Sequence, residues 1–306
     1  MLAAGKGRRI ERLARDLPKP LLPVLDRPLI AWQLAALAGA GVREVALVVG
    51  HLREAIVARV GDGSDFGLSV RYVQQEEPLG IAHALQRAVP LLTRPFVCLL
   101  GDVFFEAGDL ELLVRALEPG VDAVLGVRTE RDPRQLARNY AVELGEQGWV
   151  RRVLEKPADG RTGLKGVGLY AFRPSFADVL RDTPQSSLRD EYELTDAIQL
   201  LLERGARVRA APLAGRDFNL SEPEDLLAAN LHALRLLGLE RWISPLARVE
   251  GGARIERSVV LERATVASGA VLEQVLVMPD QDVPAQSHRC AVLAAGRVFP
   301  AMPQPS

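Results

Sequence analysis

The chain has 306 residues, 48% of them hydrophobic, and a formal net charge of -1. The near-neutral charge argues against a general nucleic-acid or membrane-surface binder, so any anion site has to be local. No apolar run approaches the roughly 18 residues that span a bilayer, and no signal peptide is visible, so a cytoplasmic protein without nucleic-acid or membrane partners is expected.

The chain opens on an apolar run that ends in two glycines and two arginines, LAAGKGRR at residues 2–9. Glycines let the backbone approach a ligand closely, and free N–H groups in such a turn make an anion pocket. Lys19 lies between two prolines and supplies a further positive charge. A dinucleotide fingerprint would need a third glycine where Ile10 stands, and the P-loop spacing is absent. The stretch therefore predicts handling of a nucleoside triphosphate, with an ordinary basic surface turn as the alternative.

The next segments alternate between helix and strand patterns. Pro28 is expected to open the first helix, because proline suits the first helical turn. The predicted elements are a helix over 27–40, a strand over 44–49, an amphipathic segment over 51–60 and strands over 68–74, 96–100 and 122–127. This alternation predicts an α/β fold with a Rossmann-like, mostly parallel sheet and helices on both faces. Ligands of such sheets lie beyond the carboxyl ends of the strands.

Asp102 directly follows the apolar strand predicted at 96–100. A carboxylate at that edge suits Mg²⁺, which proteins usually hold through one or two oxygens together with substrate phosphates. The alternative is an aspartate that caps a turn or a helix. On its own, an isolated Gly-Asp pair favours that alternative.

The pattern of apolar residues along the sequence changes after about residue 240. Two series recur every six residues: Ile243, Val249, Ile255 and Leu261, and Ala247, Ala253, Val259, Thr265 and Val271. This hexapeptide pattern predicts a short left-handed β-helix over 241–285. The coils carry no histidine suited to acyl transfer, so they are expected to serve packing or oligomer contact. Residues 286–306, with a proline-rich end, are expected to be loosely ordered.

Several motifs together resemble one family. LAAGKGRR is followed by PKPLLPV at 18–24, GDGSDFG at 61–67, PLGIA at 78–82, LGD at 100–102 and EKP at 155–157. In this order they resemble the sugar-1-phosphate nucleotidylyltransferases, and the segments near 67 and 75–84 resemble glucose-1-phosphate thymidylyltransferases most. The resemblance implies a catalytic domain over 1–240. Relatives carry about half a strand before this motif, so a shortened first strand or a true start upstream of Met1 is expected.

The resemblance also implies roles for individual residues. The catalytic group is Arg9, Lys19 and Asp102. The nucleotide-binding group is Leu2, Ala3, Ala4, Gly5, Gly7, Gln75, Pro78, Gly80 and Gly101. The group for the sugar phosphate is Ala141, Glu143, Glu155, Lys156, Gly168 and Tyr170, and the Mg²⁺ ligands are Asp102 and Asn219. The chain departs from the family at Val103, Ala141 and Asn219, where relatives often have asparagine, glycine and aspartate.

The expected reaction transfers a nucleotidyl group from a nucleoside triphosphate, with dTTP favoured, to a sugar 1-phosphate, with glucose 1-phosphate favoured. The products are a nucleoside-diphosphate sugar and pyrophosphate. Two alternatives stay open: a non-catalytic homologue that binds sugar nucleotides and regulates a partner, or the same chemistry with another pair such as GTP and mannose 1-phosphate. A homo-oligomer is possible in either case.

Overall fold

The structure is a computed structural model that describes residues 1–5, 10, 12–13, 17–186 and 190–301. The chain forms two compact units. The first contains residues 1–6 and 33–217, and the second contains residues 7–32 and 218–306.

The described part of the chain contains short elements throughout. The helices are α1 (Leu29–Gly39), α2 (Arg53–Val60), α3 (Ile81–Ala88), α4 (Ala107–Ala116), α5 (Pro133–Leu136), α6 (Phe176–Asp182), α7 (Leu194–Glu203) and α8 (Pro223–Leu236). The strands up to residue 219 are β1 (Leu2–Ala3), β2 (Pro23–Val24), β3 (Arg27–Pro28), β4 (Glu44–Val49), β5 (Ser69–Gln74), β6 (Phe96–Leu99), β7 (Val103–Phe105), β8 (Ala123–Glu130), β9 (Tyr140–Leu144), β10 (Val150–Glu155), β11 (Gly163–Phe172), β12 (Val208–Pro212) and β13 (Asp217–Asn219). The later strands are β14 (Trp242–Ile243), β15 (Arg248–Val249), β16 (Arg254–Glu256), β17 (Val259–Val260), β18 (Thr265–Val266), β19 (Val271–Val277), β20 (Asp282–Val283), β21 (Ser287–Ala294) and β22 (Arg297–Pro300).

Most of the elements predicted in the first half are confirmed, with one local correction. The predicted strands correspond to β4, β5, β6 and β8. The helix expected over 27–40 begins only at Leu29. Pro28 lies instead in β3, which pairs with β2 as a short antiparallel hairpin.

The sheets of the first unit are mixed, which corrects the expectation of a mostly parallel sheet. β1, β4 and β5 pair in parallel, and β12 pairs in parallel with β8. β11, in contrast, pairs antiparallel with β6, β8 and β9, and β9 pairs antiparallel with β10. The connection from β9 to β10 is too short for a crossover, so these strands have to run antiparallel.

The core of the first unit has helices on both faces of the sheet. On β8, Ala123, Leu125 and Val127 join one apolar cluster with α3, α6 and α7. α4 also contacts β8 and β11, and its buried Leu110 and Leu113 lie outside that cluster. Because successive side chains of a strand point to opposite faces, α4 covers the other face.

A cavity of about 840 Å³ lies in the first unit beside the start of β1. Its walls include Val45 and Ala46 of β4 and Phe96 and Val97 of β6. β1 pairs with β4 only at Val48 and Val49. Met1, the residue before β1, donates through its amine to the Ala46 carbonyl at 2.9 Å. Within the described residues, the first half of β4 therefore has β5 as its only partner strand.

The second unit contains coils of short parallel strands. Trp242 pairs with Val259, Arg248 with Thr265 and Arg254 with Val271, each 17 residues further along the chain. The buried inner positions include Ile255, Val260, Val266, Leu272 and Val277, so the spacing of inner residues is five at one corner of each coil and six at the others. Leu261, an expected anchor, lies one residue past Val260 for this reason. The strands are compatible with a β-helix.

The segment after residue 286 is not a loosely ordered tail, and the expectation is corrected as far as residue 301. β21 extends the coils by pairing in parallel with β19, and β22 pairs back on β21. Ala291, Val292 and Leu293 are buried, so apolar side chains continue the pattern of the earlier coils. The last residues, 302–306, lie outside the described part.

One outer face of the coils is covered by helix α8. α8 contacts β19, β21 and β22, and it also contacts β2. Val259, Leu276 and Val292 point outward from the coils and are nevertheless fully buried. The second unit is thus built around α8. None of the helices in the described ranges combines the length and the hydropathy that crossing a bilayer requires.

Candidate active site

The expected nucleotide-binding stretch begins on strand β1. Leu2 and Ala3 form β1, and Leu2, Ala3 and Ala4 are buried while Gly5 is exposed. A Cβ on Gly101 would lie 2.7 Å from the Leu2 carbonyl oxygen, so glycine is required where the two segments meet. Gly7 and Arg9, predicted for nucleotide binding and catalysis, lie outside the described residues.

Asp102 lies in the turn after β6, beside the end of β1. Leu2 forms a parallel bridge with Leu100, and the Gly101 amide donates to the Leu2 carbonyl at 2.8 Å. Gln33 holds the other side of this turn: its Nε2 donates to the carbonyls of Leu100 at 2.9 Å and Val103 at 2.7 Å. The half-buried Asp102 carboxylate is thus carried by a tightly held turn.

Gln33 was missed by sequence reasoning, although a signal exists. It is a lone amide in the otherwise apolar helix LIAWQLAALAG and is 1% exposed. An amide buried at such a position needs hydrogen-bond partners, and here the partners are the backbone around Asp102.

The predicted residues Gln75, Pro78 and Gly80 lie on one loop between β5 and α3. Gln75 is buried and its Nε2 donates to the Gly80 carbonyl at 3.1 Å, while Pro78 is exposed. The same nitrogen lies 3.0 Å from Nδ1 of His83, which must accept because an amide nitrogen only donates. Gly80 has φ of 106°, and a Cβ there would lie 2.6 Å from the Tyr192 carbonyl oxygen. Glycine is therefore needed at this position.

Glu155 and Lys156 come together with the start of α7. Glu155 ends β10, and its carboxylate lies 3.3 Å from the Lys156 ammonium and 3.1 Å from the Thr195 hydroxyl. Asp196 follows in the first turn of α7, where burial and then the nearby Glu155 raise the pKa of its carboxyl. These four residues form a cluster that can place both charge and hydroxyl-binding oxygens near a ligand.

Glu143, predicted with Glu155 for the same ligand, lies elsewhere. Tyr140 pairs with Glu155 and belongs to the apolar cluster, as does Val142. Because side chains alternate along a strand, Glu143 points to the face opposite Glu155. There it binds Arg161 at 2.8 Å and Arg151 at 3.1 Å, contacts that lower the pKa of its carboxyl. Ala141 shares the face of Glu143.

Gly168 and Tyr170 on β11, both predicted to bind the sugar phosphate, are surrounded by backbone and core side chains. Gly168 has φ of 75° at an irregular point of β11, and its carbonyl accepts from the Leu100 amide at 3.1 Å. Tyr170 is buried and stacks on Tyr140 and Phe172, with ring centroids 6.1 and 5.8 Å away. Burial raises the pKa of Tyr170 well above its ordinary value. Its ring is thus part of the core.

A buried group of ion pairs surrounds Asp217, the first residue of β13, and no sequence motif predicted it. Lys165 lies 2.9 Å from Asp217 and 3.9 Å from Glu130, and Arg128 lies 3.6 Å from the other oxygen of Asp217. The side chains of Lys165 and Asp217 are 10% and 8% exposed. The group anchors the first residue of the strand whose last residue is Asn219.

In the second unit, the predicted residues Lys19 and Asn219 share one contact. Lys19 begins a short 3-10 helix and its Nζ lies 3.3 Å from the Ser221 hydroxyl. That hydroxyl lies 2.9 Å from Oδ1 of Asn219. Asn230 of α8 holds the segment at 23–25, which follows the 3-10 helix of Lys19. Its side chain accepts from the Leu25 amide at 2.7 Å and donates to the Pro23 carbonyl at 3.0 Å.

Each of the two predicted metal ligands, taken by itself, offers an oxygen of the kind that binds Mg²⁺. Asp102 offers a carboxylate and Asn219 an amide oxygen, and both are oxygen ligands of the kind Mg²⁺ takes. Among the described residues no three histidines, cysteines, aspartates or glutamates cluster as a metal cage would require.

Comparison with known proteins gives a consistent set of matches. A model of the family described as "Nucleotidyl transferase" matches residues 1–234. A glucose-1-phosphate thymidylyltransferase from Streptomyces griseus is 34% identical over 290 residues, covering 91% of this chain and 80% of the relative. A UTP–glucose-1-phosphate uridylyltransferase from Haloferax volcanii is 31% identical over 225 residues, covering 74% of this chain and 91% of the relative.

Solved structures share the fold. A UDP-glucose pyrophosphorylase complexed with UDP-glucose has a TM-score of 0.68 at 21% identity and covers 77% of this chain and 97% of its own. The UDP-glucose pyrophosphorylase from Acinetobacter baumanii has a TM-score of 0.65 at 24% identity and covers 77% of this chain and 92% of its own.

Proposed function

We propose, because this chain belongs to the nucleotidyl transferase family, that it transfers the thymidylyl group of dTTP to glucose 1-phosphate and releases pyrophosphate. The relatives are glucose-1-phosphate thymidylyl- and uridylyltransferases, so the chain is an enzyme of the sugar-1-phosphate nucleotidyltransferase class. The observation that carries the choice of dTTP is the alignment with the Streptomyces griseus thymidylyltransferase, which spans 290 residues and therefore extends into the C-terminal coils.

The residues have distinct tasks in this proposal. Arg9 and Lys19 stabilise the triphosphate and the leaving pyrophosphate, and the 75–80 loop held by Gln75 faces the base. The sugar phosphate lies against Glu155 and Lys156, which are 3.3 Å apart. Thr195 and Asp196 complete the part of the site that binds the sugar phosphate. Glu143 is left out, because its carboxylate is taken by two arginines on the opposite face.

Enzymes of this family generally use a divalent metal ion, and we assign Mg²⁺ to Asp102 and Asn219. A bound Mg²⁺ would neutralise charge on the phosphate oxygens. The protein's own contribution is mainly positioning and charge stabilisation, since phosphoryl transfer needs no covalent protein intermediate. Gln33 serves this by fixing the turn that carries Asp102.

We further assign the C-terminal coils to a left-handed β-helix that braces α8. The repeat of inner residues supports this form, and the buried outer residues Val259, Leu276 and Val292 support the bracing role.

The function is tested by pyrophosphate release from a matrix of triphosphates (dTTP, UTP, GTP, ATP) and sugar phosphates (glucose 1-phosphate, mannose 1-phosphate). The pair dTTP and glucose 1-phosphate should give the highest kcat/KM. Asp102→Asn should lower kcat by at least 10²-fold, the scale for losing one electrostatic contact in a transition state. A higher kcat/KM with GTP and mannose 1-phosphate would reassign the substrates. Absence of pyrophosphate with every pair, together with calorimetric binding of a sugar nucleotide, would favour the regulatory alternative.

A further inference from the structure

Ser221 has a fixed position between the two site residues of the second unit. It is 5% exposed and lies between β13 and α8. Its backbone N–H is held by the Asp225 carboxylate at 3.1 Å and by the Asn219 carbonyl at 2.7 Å. Its hydroxyl contacts Lys19 Nζ at 3.3 Å and Asn219 Oδ1 at 2.9 Å.

The hydrogen-bond direction along this chain of three residues follows from their chemistry. An ammonium has donors only, so Ser221 Oγ must accept from Lys19. The single serine hydrogen then has to point elsewhere, and Asn219 is the other partner at 2.9 Å. In the structure the serine donates this hydrogen to Oδ1, so the oxygen end of the Asn219 amide faces Ser221.

An amide ligand needs such an orienting partner more than a carboxylate does. Either oxygen of a carboxylate can bind a metal ion, whereas an amide binds through one end and repels the ion with the other. Oδ1 has two lone pairs, so it can accept from Ser221 and still offer one lone pair to a cation. Residues that orient a ligand in this way contribute strongly to metal affinity.

We propose that Ser221 is a positioning residue that orients the Asn219 amide for the metal ion and couples it to Lys19. The chain thereby compensates for an amide where relatives often have a carboxylate. The orientation of the amide stands on the contacts alone, whereas its consequence for Mg²⁺ rests on the proposed function.

The orientation can be measured on the free protein by NMR. Asn139, Asn219 and Asn230 are the only asparagines of the chain, so selective ¹⁵N-asparagine labelling gives few side-chain amide signals, and Asn219→Asp assigns one of them. Ser221→Ala should shift the Asn219 amide pair, Ser221→Thr should return it toward the wild-type position, and the signals of Asn139 and Asn230 should not move. An Asn219 pair unchanged in Ser221→Ala would overturn the proposal.

The consequence for the metal is measured without turnover, by equilibrium dialysis of labelled dTTP against Mg²⁺ in the absence of sugar phosphate. Ser221→Ala should weaken the Mg²⁺-dependent part of dTTP binding by about 10-fold, the lower end for losing an orienting partner. Ser258→Ala is the matched control, because Ser258 is fully buried and bonds only within the coils. It should leave this binding unchanged.

The pair Ser221→Ala and Asn219→Asp distinguishes orientation from general damage. With a symmetric carboxylate at 219, loss of the serine should cost less than about 3-fold. An equal loss in both backgrounds would assign Ser221 a merely structural role and overturn the proposal. Dialysis without any Mg²⁺ dependence in the wild type would overturn the coupling to the metal, and if pyrophosphate release is still seen, the proposed function survives that result.

Discussion

Single buried amides hold the backbone of the candidate site. Gln33 donates to the carbonyls of Leu100 and Val103, and Gln75 donates to the carbonyl of Gly80. Each side chain replaces backbone pairing that an irregular turn cannot make for itself. The turn that carries Asp102 is therefore held by a side chain remote in sequence, and the expected base-binding loop is held by a side chain of the same loop.

Asp196 gives a residue-scale prediction about pH. Burial, followed by the charge of Glu155, raises the pKa of its carboxyl above the unfolded value. A folded-state pKa that is raised favours the folded protein below the unfolded pKa, and this contribution is lost as pH rises through the folded pKa. Asp196→Asn removes the ionisation and should raise the unfolding midpoint at pH 7–8, with a gain that shrinks as the pH falls toward 4.

The measurement is a series of melting curves from pH 4.5 to pH 8 for wild type and variant. Asp178→Asn is the control, since Asp178 also lies in the first turn of a helix, α6, but is exposed. A gain of the same size at every pH, or the same gain in the control, would show that ionisation of Asp196 is not responsible.

At the scale of elements, β19 shows how one strand serves three environments. Leu272, Val275 and Val277 point into the coils, Leu276 points outward under α8, and Val271 points outward toward partly exposed surroundings. The outer face that α8 covers is apolar, and the neighbouring outer face carries Arg257, Glu273 and Arg289 in ion pairs. The extension thus uses one face for packing within the chain.

Two lysine substitutions in β19 test this division. Leu276→Lys places a charge under α8 and should destabilise the protein by several kcal/mol, because a buried unpaired charge is among the costliest changes. Val271→Lys adds the same charge on the outer face that is partly exposed and should cost less than about 1 kcal/mol. Urea unfolding of both variants compares them directly, and similar losses would mean that α8 does not seal this face.

At the scale of the whole molecule, the short strand β1 and the cavity beside it are connected. β1 pairs with β4 only at Val48 and Val49, and the cavity of about 840 Å³ lies where further pairing would be. The Met1 amine is buried there, and burial lowers its pKa. An apolar strand placed ahead of Met1 could pair with the first half of β4, fill the cavity and move the charged amine out of it.

A four-residue apolar extension such as Val-Ile-Val-Val ahead of Met1 should therefore raise the unfolding midpoint. A Gly-Ser extension of equal length is the control, because it removes the same amine but fills no volume. The amine's lowered pKa costs stability at low pH, and this cost disappears above the unfolded value of 8.0, so both extensions should gain least at pH 9. An apolar extension no better than the control would show that the cavity does not accept a strand.

The sequence by itself determined what depends on neighbours along the chain. Apolar runs predicted β4, β6 and β8 because burial on both faces leaves no polar positions, and the six-residue spacing predicted the coils because each short strand buries one residue. The apolar run at 96–100 also predicted that Asp102 follows a strand. These features repeat or adjoin within a few residues, which is the range over which a pattern can be recognised.

Only the tertiary structure decided what depends on residues far apart. It turned Glu143 and Glu155 to opposite faces, because the registry of β9 with β10 and the position of the core set which side is which. It also brought Lys19 and Ser221 together across 202 residues. The tail was misjudged for the same reason: its proline-rich end is a local signal, whereas the pairing of β21 with β19 comes from the preceding coil. Long-range pairing leaves no periodic trace in a single sequence, so these contacts had to be seen in the fold.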